Sequence, residues 1–181
     1  MRQQLLAGLS VTVLLLGATA CSGDDDGGGS DDKEKAVAAI VDGMTTAESA
    51  DSVRAQNECV AEGLVDSMGV DGLRDAGLID GDYVAQLSDK LDVDTATLIA
   101  DEVVGCWDVE AQVEDYKPSY PKATDADWDN YVTCMDKLEP LVRAYAIASY
   151  TQVDLNTAQS QLATRTQQCI KPLGAAVAPA N

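Results

Sequence analysis

Apolar residues recur every three or four positions along most of this chain, the spacing of helices that each bury one face. From Lys33 to Ala47 the apolar side is Val37, Ile40, Val41 and Met44. Thr45-Thr46-Ala47-Glu48 has the form of a capping box and predicts a second helix running to about Met68, with Val53, Cys59, Val60, Leu64 and Met68 inward. Gly69 is placed to stop it, a further short turn of helix is expected over residues 71–76, and Asp80-Gly81-Asp82 signals a turn. A third helix, capped by Asp92 or Asp94, is expected to reach about Tyr116 on Ile99, Val103, Cys106, Val109 or Glu110, and Val113, with Pro118 and Pro121 beyond it.

Thr124-Asp125-Ala126-Asp127 marks another helix start, with Asp127 at the third position. This fourth helix carries Trp128, Tyr131 or Val132, Met135, Leu138, Val142 and Tyr145, and Pro140 should kink or restart it. Asp154 is expected to cap a fifth, with Leu155, Ala158, Leu162, Thr166, Cys169 and Ile170 on one side and Pro172 at its end. Residues 173–181 read as a loose tail. The fold class is all-α with about five helices. Composition agrees, because Phe is absent and the core must come from Ala, Val, Leu, Ile, Met and a few Tyr and Trp, which favours closely packed helices.

The chain carries 31 Asp and Glu against 12 Lys and Arg, for a net charge of −19. Such a surface repels phosphates, and no basic cluster offsets it, so a nucleic-acid partner is excluded. An acidic balance of this size keeps a protein soluble, or attracts cations and basic partners. Histidine is absent, which removes His-dependent triads, His-ligated zinc and most base chemistry near neutral pH.

Residues 1–20 have the three parts of an export signal: Arg2, a mostly apolar run from Leu5 to Leu16, and small residues before Cys21. Leu16-Gly17-Ala18-Thr19-Ala20-Cys21 resembles a bacterial lipobox, although Ala18 stands where Leu is usual. That resemblance implies diacylglyceryl transfer to the Cys21 sulfur and cleavage before it. A retained anchor fits less well, since sixteen residues rise only about 24 Å as a helix against a hydrocarbon core of about 30 Å. Residues 21–32 continue as an acidic Gly/Ser/Asp tether, flexible and extended by like charges, and 33–172 form the helical domain. The implied partner is a membrane, through the lipid, on the outer face of the cell membrane.

Cys59, Cys106, Cys134 and Cys169 remain, and four cysteines in an exported chain suggest two disulfides in one of three pairings. Cys59 and Cys134 each lie early in a long amphipathic helix, and Cys106 and Cys169 each late in the following one. This weak internal repeat, about residues 34–117 and 124–172, favours Cys59 with Cys106 and Cys134 with Cys169, giving two stapled helical hairpins. No C-x-x-C supports a redox centre, and the wide spacing does not suit zinc.

Residues 59–66, CVAEGLVD, followed by residues 69–78, GVDGLRDAGL, and by the later IADEVVGC of residues 99–106, resemble segments of uncharacterised actinobacterial exported proteins and lipoproteins. The resemblance covers about residues 50–110 and implies an all-helical cell-surface protein. It carries no activity.

Two chemistries remain to be weighed. Asp125, Asp127, Asp129 and Asp136 sit at EF-hand ligand positions within residues 125–136, but Asn130 replaces the turn glycine and the same stretch fits a capped helix. A carboxylate pair could serve an envelope hydrolase, which requires a cleft with two acids about 5–10 Å apart and one desolvated. No nucleophile elbow, P-loop or dinucleotide fingerprint appears, and no cofactor or catalytic residue is implied. Trp107, Trp128, Tyr116, Tyr120 and Tyr131 gather near the junction of the two halves and suit either packing or a groove. The expectation is therefore a non-enzymatic, lipid-anchored protein that binds an envelope protein or small ligand, or stabilises the envelope.

Overall fold

Residues 29–47, 49–87 and 90–174 are described by the computed structural model of the chain. Over them run seven α-helices: α1 Ser30–Met44, α2 Asp51–Asp75, α3 Val93–Gly105, α4 Val109–Tyr116, α5 Asp125–Asp136, α6 Glu139–Thr151 and α7 Leu155–Ile170. Short 3-10 turns follow α4 at Lys117–Ser119 and α7 at Lys171–Leu173. Among the described residues there is no strand beyond a single bridge between Ile79 and Ala85. The fold is all-α, with seven helices rather than about five.

The two extra helices come from breaks in stretches whose apolar spacing is continuous. Gly105 ends α3, and Asp108 starts α4 by accepting the Ala111 amide, so the expected helix from Asp92 to Tyr116 is two. Near Pro140 the chain restarts as α6 after Leu138, because proline at the first turn forfeits no hydrogen bond there. Gly69 interrupts α2 at φ 67° and ψ 167°, a conformation open almost only to glycine, and residues 70–75 form the short further turn.

Several boundaries depart from expectation. Ser30, Asp31 and Asp32, assigned to the tether, form the first turn of α1, where the two aspartates face the positive end of the helix dipole. The second helix begins at Asp51 with no side-chain cap; Thr46 and Ser49 instead bond one another in the preceding turn, and Glu48 lies outside the described residues. Val53, expected inward, is exposed. Asp154 occupies the N-cap position of α7 with φ 55° but its side chain caps nothing. Leu173, assigned to the tail, is buried. The rest of the tail (175–181), the leader and Cys21 lie outside the described residues.

Two cores result. The larger gathers Ala36, Ile40 and Val41 of α1, Val60, Leu64 and Leu73 of α2, the Leu78–Ile79 segment and Ile99 of α3. The smaller joins Val109 and Val113 of α4, Trp128, Tyr131 and Met135 of α5, Leu138, Cys169 and Leu173. α4 therefore packs with the second half of the chain, not with the helix it was expected to extend. Between the cores α3 lies antiparallel to α6, with Leu91 N–H bonded to Tyr150 C=O at one end and Arg143 paired with Asp101 towards the other. Ala96 and Ala100 of α3 and Ala146 of α6 are buried, and side chains this small let two helices approach closely.

Two disulfides cross the assembly. Cys59 of α2 joins Cys106 at the end of α3, and Cys134 of α5 joins Cys169 of α7. This is the pairing that the repeated surroundings favour. The second bond skips a helix, since α6 lies between its partners in the chain.

Local devices hold the first core closed. Asn57, the one buried polar side chain among the described residues, donates to Met44 C=O and to Thr45 Oγ1, so α2 caps the end of α1. The loop over residues 78–87 packs on α1 at Gly43, where a Cβ would lie 2.5 Å from that of Ala85. In that loop the Tyr83 ring lies between Arg74 and Lys35, 4.8 Å and 5.5 Å from its centroid.

Candidate functional site

The twelve residues that matched the EF-hand spacing are the whole of α5. Thr124 accepts the Asp127 amide and Asp127 accepts the Thr124 amide and hydroxyl, a complete capping box. These bonds, the Thr124 amide foremost, lower the Asp127 pKa below the ordinary 3.8. At about 100° per residue, Asp127 lies on the opposite side of α5 from Asp125, Asp129 and Asp136, so the four cannot converge on one ion. Among the described residues no cluster of three or more His, Cys, Asp or Glu is placed to hold a metal. In α5 these acids are a helix cap and a surface stripe.

No Asp or Glu among the described residues is buried. The shifts that stand out for acids all run downward, from the Tyr83 hydroxyl at Asp32, from Thr95 at Asp92 and from Arg143 at Asp101. A general acid for glycoside hydrolysis needs the opposite shift. The groups pushed upward by burial are tyrosines, Tyr131 to about 12 and Tyr150 less far.

The aromatic residues near the junction divide. Trp128 and Tyr131 are buried, stacked edge to face at 5.7 Å, and Tyr120 meets Trp128 the same way at 6.0 Å. They are core. Tyr116 is exposed. Trp107 lines a cleft of about 520 Å³ bounded by α2, the α3–α4 link and α5, with the Cys59–Cys106 disulfide in its wall. A second cleft of about 560 Å³ lies between α4 and α5. Glu110 and Val132 line both, so the two clefts adjoin along α4, and together they are called the α4 trough below. Sequence reasoning did not find this trough, because its walls come from three separated segments and only the surplus of acids was visible.

A third recess, between α1 and α2, carries charges of both signs, and the Lys33–Asp66 pair spans it at 3.8 Å. Comparison with protein-family models, with curated proteins and with solved structures gives no match.

Proposed function

We propose that this is a lipid-anchored protein of the outer face of the cell membrane, held through Cys21 on an acidic tether, with a non-enzymatic binding or envelope-structural role. The observation that carries the reading is the run of small residues ending in Cys21 after an apolar leader. The two disulfides agree with it, since such bonds persist in oxidising compartments outside the cytoplasm. Within this reading the chain is two sulfur-braced helix groups, related by the weak repeat of Cys59 with Cys134 and Cys106 with Cys169.

Intact-mass measurement of the mature protein from membranes tests it. The expected result is an amino terminus at Cys21 carrying acyl mass, with Cys21→Ser shifting the protein from the membrane to the soluble fraction. An unacylated amino terminus on a membrane-bound protein would overturn the anchor.

A further inference from the structure

We propose that the trough along α4 is a docking site for a cationic, amphipathic segment of a protein partner. The proposal rests on the binding role above and supplies the chemistry of what is bound.

The trough has an apolar floor and an acidic rim. Half-buried Trp107 and Val132 give its lining accessible apolar surface, over the buried core residues Val109, Val113 and Trp128. Asp108, Glu110, Glu114, Asp125, Asp129 and Asp136 contribute as well. Among the described residues Lys117 is the only basic side chain on this lining, and it is paired with Glu114.

Helix geometry explains why the charges share a surface. Asp125, Asp129, Val132 and Asp136 fall within about 60° of one another around α5 at 100° per residue. Glu110, Val113, Glu114 and Lys117 make the facing stripe of α4 and its end. The cap at Thr124 starts α5 where it does and turns Asp127 away. The break at residues 106–108 swings α4 off the line of α3, and Ser52 holds the Asp115 carboxylate so that α4 lies beside α2. The acids point outward because Trp128, Tyr131 and Met135 take the inward positions.

Charge complementarity decides the occupant. A neutral apolar ligand would leave the rim unmatched, and an anionic surface would be repelled. α4 is about 12 Å long, which suits about two turns of a partner helix presenting apolar residues downward and Lys or Arg to either wall. The α1–α2 recess carries Lys33 and Arg54 among its carboxylates and serves as an internal control.

The test uses the purified mature protein in detergent at about 0.15 M salt. The probe is a fluorescent helical peptide of Leu and Lys, with Leu at i, i+3 and i+4. The triple variant Glu110→Gln, Asp129→Asn, Asp136→Asn should weaken binding about tenfold or more. Glu34→Gln, Glu58→Gln, Glu62→Gln, an equal loss of charge at the α1–α2 recess, should change it by less than about twofold. Replacing the peptide's Leu by Ser at constant charge should weaken binding about tenfold. Equal losses in the two triples, undiminished binding of the Ser peptide, or no binding at all would each overturn the proposal. An unacylated Cys21 would remove the anchor but leave this titration standing, so the two readings fail separately.

Discussion

Single residues fix where the helices stop, and two glycines separate conformational need from lack of space. At Gly69 a Cβ would meet nothing within 4 Å, yet φ is +67°, so Gly69→Ala carries backbone strain alone. We expect a loss of about 1–3 kcal/mol in urea denaturation. At Gly63 the backbone is helical, and a Cβ would run into the end of the Glu102 side chain. Glu102 can swing away, at the cost of its 2.7 Å bond from Ser67, while alanine improves the helix. Gly63→Ala should therefore shift stability by less than about 1 kcal/mol. Asp127 contributes differently, through its ionised form. Its pKa is lowered in the folded state, so its contribution is complete above the ordinary value of 3.8 and is lost as pH falls through the folded value. Asp127→Asn should be less stable than the parent at about pH 6, and urea midpoints of the two should converge as pH falls through the lowered folded value.

At the scale of helices, the two disulfides serve unequal neighbours. In the chain-entropy account each closes a long loop, 47 and 35 residues, worth about 4 kcal/mol apiece. α2 and α3 also bury Val60, Ala61, Leu64, Ile99 and Ala100, so they have reason to stay together without sulfur. α7 buries only Cys169 itself. Breaking the second bond with Cys134→Ser, Cys169→Ser should raise amide exchange throughout α7 while α1–α3 keep their protection. The corresponding change at Cys59 and Cys106 should lower the melting temperature without freeing a helix, and equal protection of α7 in both variants would contradict this. The same contrast shows what the sequence makes legible. Helix ends set by a local residue can be read directly: Gly69, Thr124, Pro140 and Pro172 all act within one turn. The break after Gly105 escapes notice because Val103, Cys106, Val109 and Val113 keep helical spacing straight through it. Gly105 and Asp108 are the local signals of the break, and the continuous apolar spacing outweighs them. The α3–α6 contact is invisible in the chain, since alanines mark no face strongly. The trough is likewise hidden, being assembled from α2, α4 and α5 rather than from one motif.

For the whole molecule the dominant fact is charge of one sign. With 31 acidic and 12 basic residues, the folded state crowds like charges that the unfolded chain can spread apart. The ion pairs seen here join exposed side chains, such as Lys33 with Asp66, and pairs of this kind contribute little. Screening should therefore stabilise more than it harms, because the Debye length falls from about 30 Å at 0.01 M salt to about 10 Å at 0.1 M. We expect the melting temperature to rise steadily with sodium chloride over about 0.01–0.5 M, most of the gain coming early, where the screening length shrinks fastest. Divalent ions sharpen the argument. If the acids act only as a diffuse field, calcium and magnesium at equal ionic strength should raise the melting temperature alike. A gain peculiar to calcium would require oxygen ligands converging on one point, and α5 holds Asp127 on the side away from Asp125, Asp129 and Asp136. The expected equality of the two ions thus follows from the rotation of one helix, and scanning calorimetry with matched chloride salts reads it directly.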